Sequence, residues 1–307
     1  MDTAWPTQSP DVLDRPALQR LLTTHTFGRT LYILPATTST NDSVKTLAQQ
    51  GAPEGTVVVA EHQTHGRGRY GRTFASPMGV GIYLSLLVRP QVETLRLPPL
   101  TLAIAVATAE ALVQYCALPV GLKWPNDVAI HGKKVAGILT EAVLVPCAVN
   151  TPQVPHTAHE PGKPGGTPPN WRGNCRAQHL GAGVSPVIII GIGINVNTTL
   201  EHLPPELHQH VTSLALASGH AWPRLPLIAV LLAHLERLYQ VFHQGDIPSI
   251  VQRWLHYGSI IGRQVRFTYE SSAGIGTVVG LAEDGALLIQ HTDGRQQRLI
   301  AGEVTFL

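Results

Sequence analysis

The residues best equipped for chemistry form a run of three glycines and three arginines, Gly66-Arg67-Gly68-Arg69-Tyr70-Gly71-Arg72. An arginine presents a planar fork of N–H donors that matches two oxygens of a phosphate or carboxylate. Glycine takes positive-φ conformations and lets the backbone approach a ligand closely. The spacing suits a loop that wraps an anion. Taken alone, it fits a basic surface loop or an RNA-binding arginine-glycine box equally well.

Two further runs carry polar groups on apolar surroundings. Lys123-Trp124-Pro125-Asn126-Asp127 is followed closely by Lys133-Lys134-Val135-Ala136-Gly137-Ile138-Leu139. Lys123 alone reads as a surface charge, and Asn126-Asp127 as a polar turn. Lys134 differs, because it stands just before a strongly apolar strand. Its ammonium is therefore expected to be poorly hydrated and held by a rigid element, where it can neutralise a reacting anion. The third run is Gly191-Ile192-Gly193-Ile194-Asn195-Val196-Asn197, whose glycines permit close approach by a ligand or a second backbone. It lacks the third glycine and the helix of a dinucleotide site, and the chain has no P-loop consensus.

The elements that must position these residues are legible in the apolar pattern. A short helix is expected over 11–24 and strands over 31–34, 56–61 and 81–88. Thr37-Thr38-Ser39-Thr40-Asn41 offers helix caps ahead of a stripe at Val44, Leu47 and Ala48 that stops at Gly51. Residues 98–117 are apolar almost all round, as in a buried helix. Strands are expected at 120–123, 135–144 and 187–196, and amphipathic helices at 225–243 and 247–257, with Trp254 and Tyr257 in the core. From Ser259 the pattern becomes short alternating strands with glycine turns, over 264–269, 276–281, 286–291 and 295–300, as in a small β-barrel.

Residues 146–186 hold eight of the 24 prolines, with many Gly, Thr, Asn and His. Such a stretch buries too little apolar surface to offset its ordering entropy, and it reads as a disordered insertion in a β-hairpin loop. The 307 residues are 44% hydrophobic and 14% charged, which leaves room for two folded domains. A net charge of +2, from 22 Lys and Arg against 20 Asp and Glu, is too balanced for general attraction to nucleic acid. The apolar runs, such as 186–190, fall short of a bilayer, and the N-terminus lacks a signal-peptide pattern. Cys116, Cys147 and Cys175 have no metal-ligand spacing, and Cys116 reads as buried filler. A cytoplasmic protein is expected.

In order along the chain, Ser39-Thr40-Asn41, Gln63, the arginine-glycine loop, the Lys-Trp-Pro-Asn-Asp element, the Lys-X-Ala-Gly-Ile-Leu strand and the Gly-X-Gly-X-Asn strand resemble the biotin protein ligases. The similarity runs from about Thr37 to the C-terminus, interrupted by the proline-rich segment. It implies an α+β fold: a mixed sheet flanked by helices, with a small C-terminal SH3-like β-barrel. On that plan residues 1–30 are an N-terminal extension, 31–257 the catalytic domain with its 146–186 insertion, and 258–307 the barrel.

The resemblance also implies an activity. Biotin and ATP form biotinyl-5'-AMP, and a lysine of the biotin carboxyl carrier protein of acetyl-CoA carboxylase then attacks the acyl group. Lys134, Arg67 and Lys123 would be catalytic. Ser39, Thr40, Asn41, Gln63, Gly66, Arg67, Gly68, Arg69, Lys134 and Gly137 would bind biotin. Arg69, Arg72, Phe74, Lys123, Asn126, Asp127 and Asn195 would bind ATP or the adenylate, with Phe74 over the adenine. Mg2+ would be held mainly by phosphates. No nucleic acid or membrane partner is implied, and a homodimer is left open. A lipoate-type ligase or a noncatalytic biotin-binding protein are the alternatives.

Three features depart from the family pattern. Tyr70 replaces an arginine found in many relatives, and no arginine follows the closing Gly302-Glu303-Val304-Thr305-Phe306-Leu307. Fewer than forty residues precede the motifs, too few for a helix-turn-helix domain, so a ligase without repressor function is expected.

Overall fold

The structure is a computed structural model and describes residues 11–93, 96–146, 184–269, 272–300 and 302–307. Its larger sheet has seven strands: β1 (Leu31–Leu34), β2 (Val57–Ala60), β3 (Gly81–Val88), β4 (Val120–Lys123), β5 (Asp127–Ile130), β6 (Lys133–Pro146) and β7 (Val184–Asn195). Their order is β1-β2-β3-β7-β6-β5-β4, with β1 and β2 parallel and every other pair antiparallel. The sheet is mixed and helix-flanked, as expected.

The two faces of the sheet separate core from site. Ile190, Ile192 and Ile194 of β7 alternate with Gly191 and Gly193, so the isoleucines point one way and the glycines the other. The isoleucine face packs with α3 (Pro98–Cys116), α5 (Arg224–His243) and α6 (Ile247–Gly258) into the main core. The glycine face carries α2 (Thr40–Gln49), whose Val44 and Ala48 close a smaller core with Val58, Leu87 and Ile189. Trp254 is fully buried and Tyr257 packs against the main core, as expected; Cys116 is buried.

Length and composition alone would let α3 and α5 each cross a bilayer, which corrects the reading from run lengths. Their apolarity has another cause. Helix α3 is buried nearly all round, and 72% of its most apolar window lies inside the molecule.

The C-terminal sheet comprises β8 (Gln264–Tyr269), β9 (Ser272–Leu281), β10 (Leu287–Gln290), β11 (Gln296–Leu299) and β12 (Glu303–Phe306). All its pairs are antiparallel, in the order β11-β10-β9-β8-β12, consistent with an SH3-like barrel. Trp124 ties it to the larger sheet by donating from Nε1 to the Gly285 carbonyl (3.2 Å).

Several boundaries differ from expectation. Helix α1 (Arg15–Leu21) is shorter than 11–24, because Asp14 caps it at the backbone N–H of Ala17. The segment 11–30 is built into the main core through Leu13, Leu18, Leu22 and Phe27. Asp127 begins a strand, β5, where a turn was expected. A short helix α4 (Leu214–Ser218) had no expectation attached. Strand β7 begins at Val184, inside the 146–186 segment, and pairs back to Pro146 of β6. The two strands make the expected hairpin; residues 147–183 lie outside the described residues.

Candidate active site

One cavity of about 430 Å³ opens on the glycine face of the large sheet. Every residue proposed for the site from the sequence lines it except Gly66. Gly66 is buried just behind, where a Cβ would stand 2.3 Å from the Phe74 carbonyl oxygen.

A row of paired residues crosses the cavity floor: Tyr83 faces Gly193, Gly193 faces Gly137, and Gly137 faces Asp127. The glycines are required by what lies on them. A Cβ at Gly193 would sit 2.5 Å from the Phe74 ring, and one at Gly191 would sit 2.3 Å from Asn41 Oδ1. At Gly137 the neighbour is Lys134, whose Cε and Nζ would be 3.0 Å away.

Lys134 reaches this face through an irregularity of the sheet. Val128 pairs with Ala136 while the next residue, Ala129, pairs with Lys134, so β6 carries one extra residue there. The bulge buries both Val135 and Ala136 and turns Lys134 to the same side as Gly137. Its backbone is clamped by a segment absent from the sequence reading: Lys134 N–H donates to the His210 carbonyl, and Thr212 N–H donates to the Lys134 carbonyl, both at 2.8 Å. Its ammonium pairs with Asp127 (2.6 Å), and its side chain is 34% exposed. The backbone clamp is the rigid mount expected, whereas a side chain one-third exposed is more hydrated than expected.

The other end of the cavity is a hydrogen-bonded network at the start of α2. Gln63 Oε1 accepts from the Thr40 backbone N–H (2.9 Å) and hydroxyl (3.1 Å). The Ser85 hydroxyl donates to Asn41 Oδ1, and Asn41 Nδ2 donates to the Glu141 carboxylate. Ser39, Thr40 and Asn41 are all buried. Ser85 and Glu141 had no place in the sequence reading. The signal was available: Ser85 is a small polar residue inside the apolar run of β3, and Glu141 is a charge in the apolar part of β6.

The arginine-glycine loop folds over this floor. Phe74 N–H donates to the Gly66 carbonyl (2.9 Å) and Gly68 N–H to the Arg72 carbonyl (2.7 Å), so the loop is a small closed ribbon. Gln63 Nε2 pins its base by donating to Ser76 Oγ (2.9 Å). Tyr83 donates from its hydroxyl to the Pro77 carbonyl (2.8 Å), and burial pushes that hydroxyl above the ordinary tyrosine value, opposed by the Arg224 charge, so it remains a donor. Phe74 rests on Gly193 with its ring edge-on to Tyr83.

Three of the five cations proposed for the site are already matched by carboxylates. Arg67 pairs with Asp42 (2.6 Å) and Glu141 (3.4 Å), Lys134 with Asp127, and Arg72 with Glu303 of the C-terminal sheet. Arg69 instead donates from Nη1 to Asn126 Oδ1 (3.2 Å), and Lys123, exposed at the rim, has no ion pair among the described residues. Asn126 is fixed by donating from Nδ2 to the Ile138 carbonyl, and Asn195 by donating to the Thr212 carbonyl (3.1 Å). Such a cavity presents cations to anionic groups, and its end at α2 presents hydrogen-bond donors and acceptors.

A glycine-floored mixed sheet closed by an arginine-rich loop, with a small barrel beside it, is an arrangement this chain shares with protein ligases. The chain matches the Biotin/lipoate A/B protein ligase family over residues 33–148 and the Biotin protein ligase C terminal domain over residues 260–307. It is 31% identical over 287 residues to the bifunctional ligase/repressor BirA of Bacillus spizizenii, covering 94% of this chain and 77% of that one. It is 28% identical over 306 residues to the biotin–[acetyl-CoA-carboxylase] ligase of Mycobacterium tuberculosis, covering 97% of each. A biotin protein ligase of Aquifex aeolicus, solved with biotin and ATP, superposes with a TM-score of 0.67 at 27% identity, over 91% of this chain and 99% of that one. The chain belongs to the biotin protein ligase family.

Proposed function

We propose that this chain activates biotin with ATP to biotinyl-5'-AMP and then transfers the biotinyl group to a lysine of a biotin carboxyl carrier protein, that of acetyl-CoA carboxylase. The observation that carries the reading is the convergence of Lys134, Arg67 and Arg69, from two separate segments, on one glycine-floored cavity. The relatives named as biotin–[acetyl-CoA-carboxylase] ligases support the acceptor.

The chemistry follows from charge. A biotin carboxylate oxygen attacks the α-phosphorus, pyrophosphate leaves, and two anions that repel must first be brought together. Arg67 and Arg69 face the carboxylate and the phosphate, and Lys134 neutralises the acyl-phosphate junction beside Gly137, where no side chain obstructs it. An anion at Arg67 or Lys134 takes the place of a protein carboxylate, and Arg69 is held by Asn126, so the cations are in position before substrate arrives. In the second step the uncharged amine of the carrier attacks the acyl carbon, loses a proton, and AMP leaves. The loop covering the cavity keeps water from the anhydride meanwhile.

Ser39, Thr40, Asn41 and Gln63 supply donors and acceptors for the ureido ring. Arg72, Lys123, Asn126, Asp127 and Asn195 lie on the nucleotide side, and Phe74, on Gly193, forms the apolar wall between the two ends. The Asp127 carboxylate, which lines the cavity, is one protein oxygen of the kind that suits Mg2+ held mainly by phosphates, where the ion would neutralise phosphate charge. DNA binding forms no part of this proposal. Biotin-dependent exchange of labelled pyrophosphate into ATP tests the first step; exchange independent of biotin would refute it.

A further inference from the structure

Tyr70 stands where the resemblance implies an arginine in many relatives, and its surroundings suggest a role of its own. It sits at the loop tip in the left-handed region (φ 55, ψ 32), with 64% of the residue exposed. Despite that exposure its hydroxyl has two partners. It accepts from Arg69 Nη2 (2.9 Å) and from the backbone N–H of Gly302 (3.1 Å), immediately before β12. The Arg69 guanidinium carbon lies 4.8 Å from the Tyr70 ring centroid. Arg69 is thus held from two sides, by Tyr70 and by Asn126.

The geometry points to Tyr70 as a positioning residue that braces the Arg69 guanidinium over the cavity and latches the arginine-glycine loop to the C-terminal barrel. An arginine in its place has no acceptor to offer either the Gly302 N–H or the Arg69 guanidinium, whereas a phenol oxygen serves both. The Arg72–Glu303 ion pair runs from the same loop to the same strand, so the tip is held to β12 at two points. Opening the loop breaks the Tyr70–Gly302 bond and separates Arg69 from its brace in one movement. The brace on Arg69 as a phosphate-facing group rests on the function proposed above; the latch itself does not.

Tyr70→Phe is the discriminating variant, because it keeps the ring and the same backbone requirement and removes only the oxygen. Two readouts separate the claims. Trypsin cleavage after Arg67, Arg69 and Arg72, identified by mass spectrometry, reports the latch in the protein without ligand, and is expected to speed up several-fold while the melting temperature holds. Dissociation of preformed biotinyl-adenylate reports the brace, and should quicken about 10- to 150-fold, as loss of one hydrogen bond to a charged group predicts, with initial biotin affinity changed less than about 2-fold. Wild-type protein that forms no adenylate would sink the proposed function yet leave the trypsin test standing. Active wild type, with Tyr70→Phe digested and releasing adenylate at the wild-type rates, would overturn the inference.

Discussion

Asn41 occupies the space that a side chain at Gly191 would need: a Cβ there would lie 2.3 Å from Asn41 Oδ1 and 3.0 Å from Cγ. Asn41 is in turn held by Ser85 and Glu141 from strands β3 and β6. Gly191→Ala is therefore expected to push the amide out of its network. Overpacking of this kind costs about 1–3 kcal/mol, and the displaced amide should weaken biotin binding by about tenfold or more, the equivalent of 1.4 kcal/mol. Thermal melts and calorimetric biotin titration check the two effects. An alanine variant with wild-type biotin affinity would show that Asn41 does not read the ligand.

Lys134→Ala separates chemistry from stability. The Lys134–Asp127 pair is partly exposed on both sides, 34% and 26%, so its loss should cost under about 1 kcal/mol. Removing a cation aimed at the reacting centre should slow adenylate formation by about 10²–10³-fold. Biotin-dependent pyrophosphate release measures the second, and a chemical melt the first. A variant that releases pyrophosphate at the wild-type rate would remove Lys134 from the mechanism.

Arg67→Gly or Arg69→Ala should weaken retention of the intermediate more than binding of ATP. The escaping anhydride reacts with any exposed amine, so biotin should appear on an unrelated bystander protein. Dissociation measured by rapid filtration, with bystander labelling scored alongside, gives the result. Slow release with labelling confined to the carrier would contradict the loop's role.

Arg67, Arg69, Phe74, Lys134 and the three floor glycines stood out in the sequence, because each lies in a short motif beside an apolar strand. The bulge that turns Lys134 to the glycine face was not, since an extra residue in a strand leaves no mark in alternation of residue type. The wall made by residues 200–212 was equally hidden. Its 3-10 turns, Leu200–His202 and Pro205–Leu207, have no periodicity, and its function is to pair its backbone with Lys134. Asp127, the first residue of β5, was read as part of a turn because Asn126-Asp127 has turn composition; pairing with both β4 and β6 outweighs that local preference. The length of β7 was obscured by Pro186, which is placed opposite Leu144 where β6 and β7 still pair.

Acid should loosen the N-terminal segment. Burial alone would raise the Glu236 carboxyl, but the backbone N–H groups of His25, Phe27 and Thr26 outweigh it and hold the group below its ordinary 4.5. A depressed folded value means that the stabilisation is complete above the unfolded value and is lost as pH falls through the folded one. Glu236→Gln should therefore destabilise by about 1–3 kcal/mol near neutrality, with the gap to wild type closing in acid. Urea midpoints across the acid range measure it; a gap independent of pH would refute the assignment.

The account stands most directly on one reaction. Purified protein is mixed with biotin, ATP and a biotin carboxyl carrier domain, and covalent biotin on the carrier is read by mass spectrometry. Biotin on the carrier lysine, dependent on ATP and lost in Lys134→Ala, is the predicted result. An unmodified carrier with correctly folded wild-type protein, or modification that Lys134→Ala leaves intact, would contradict it.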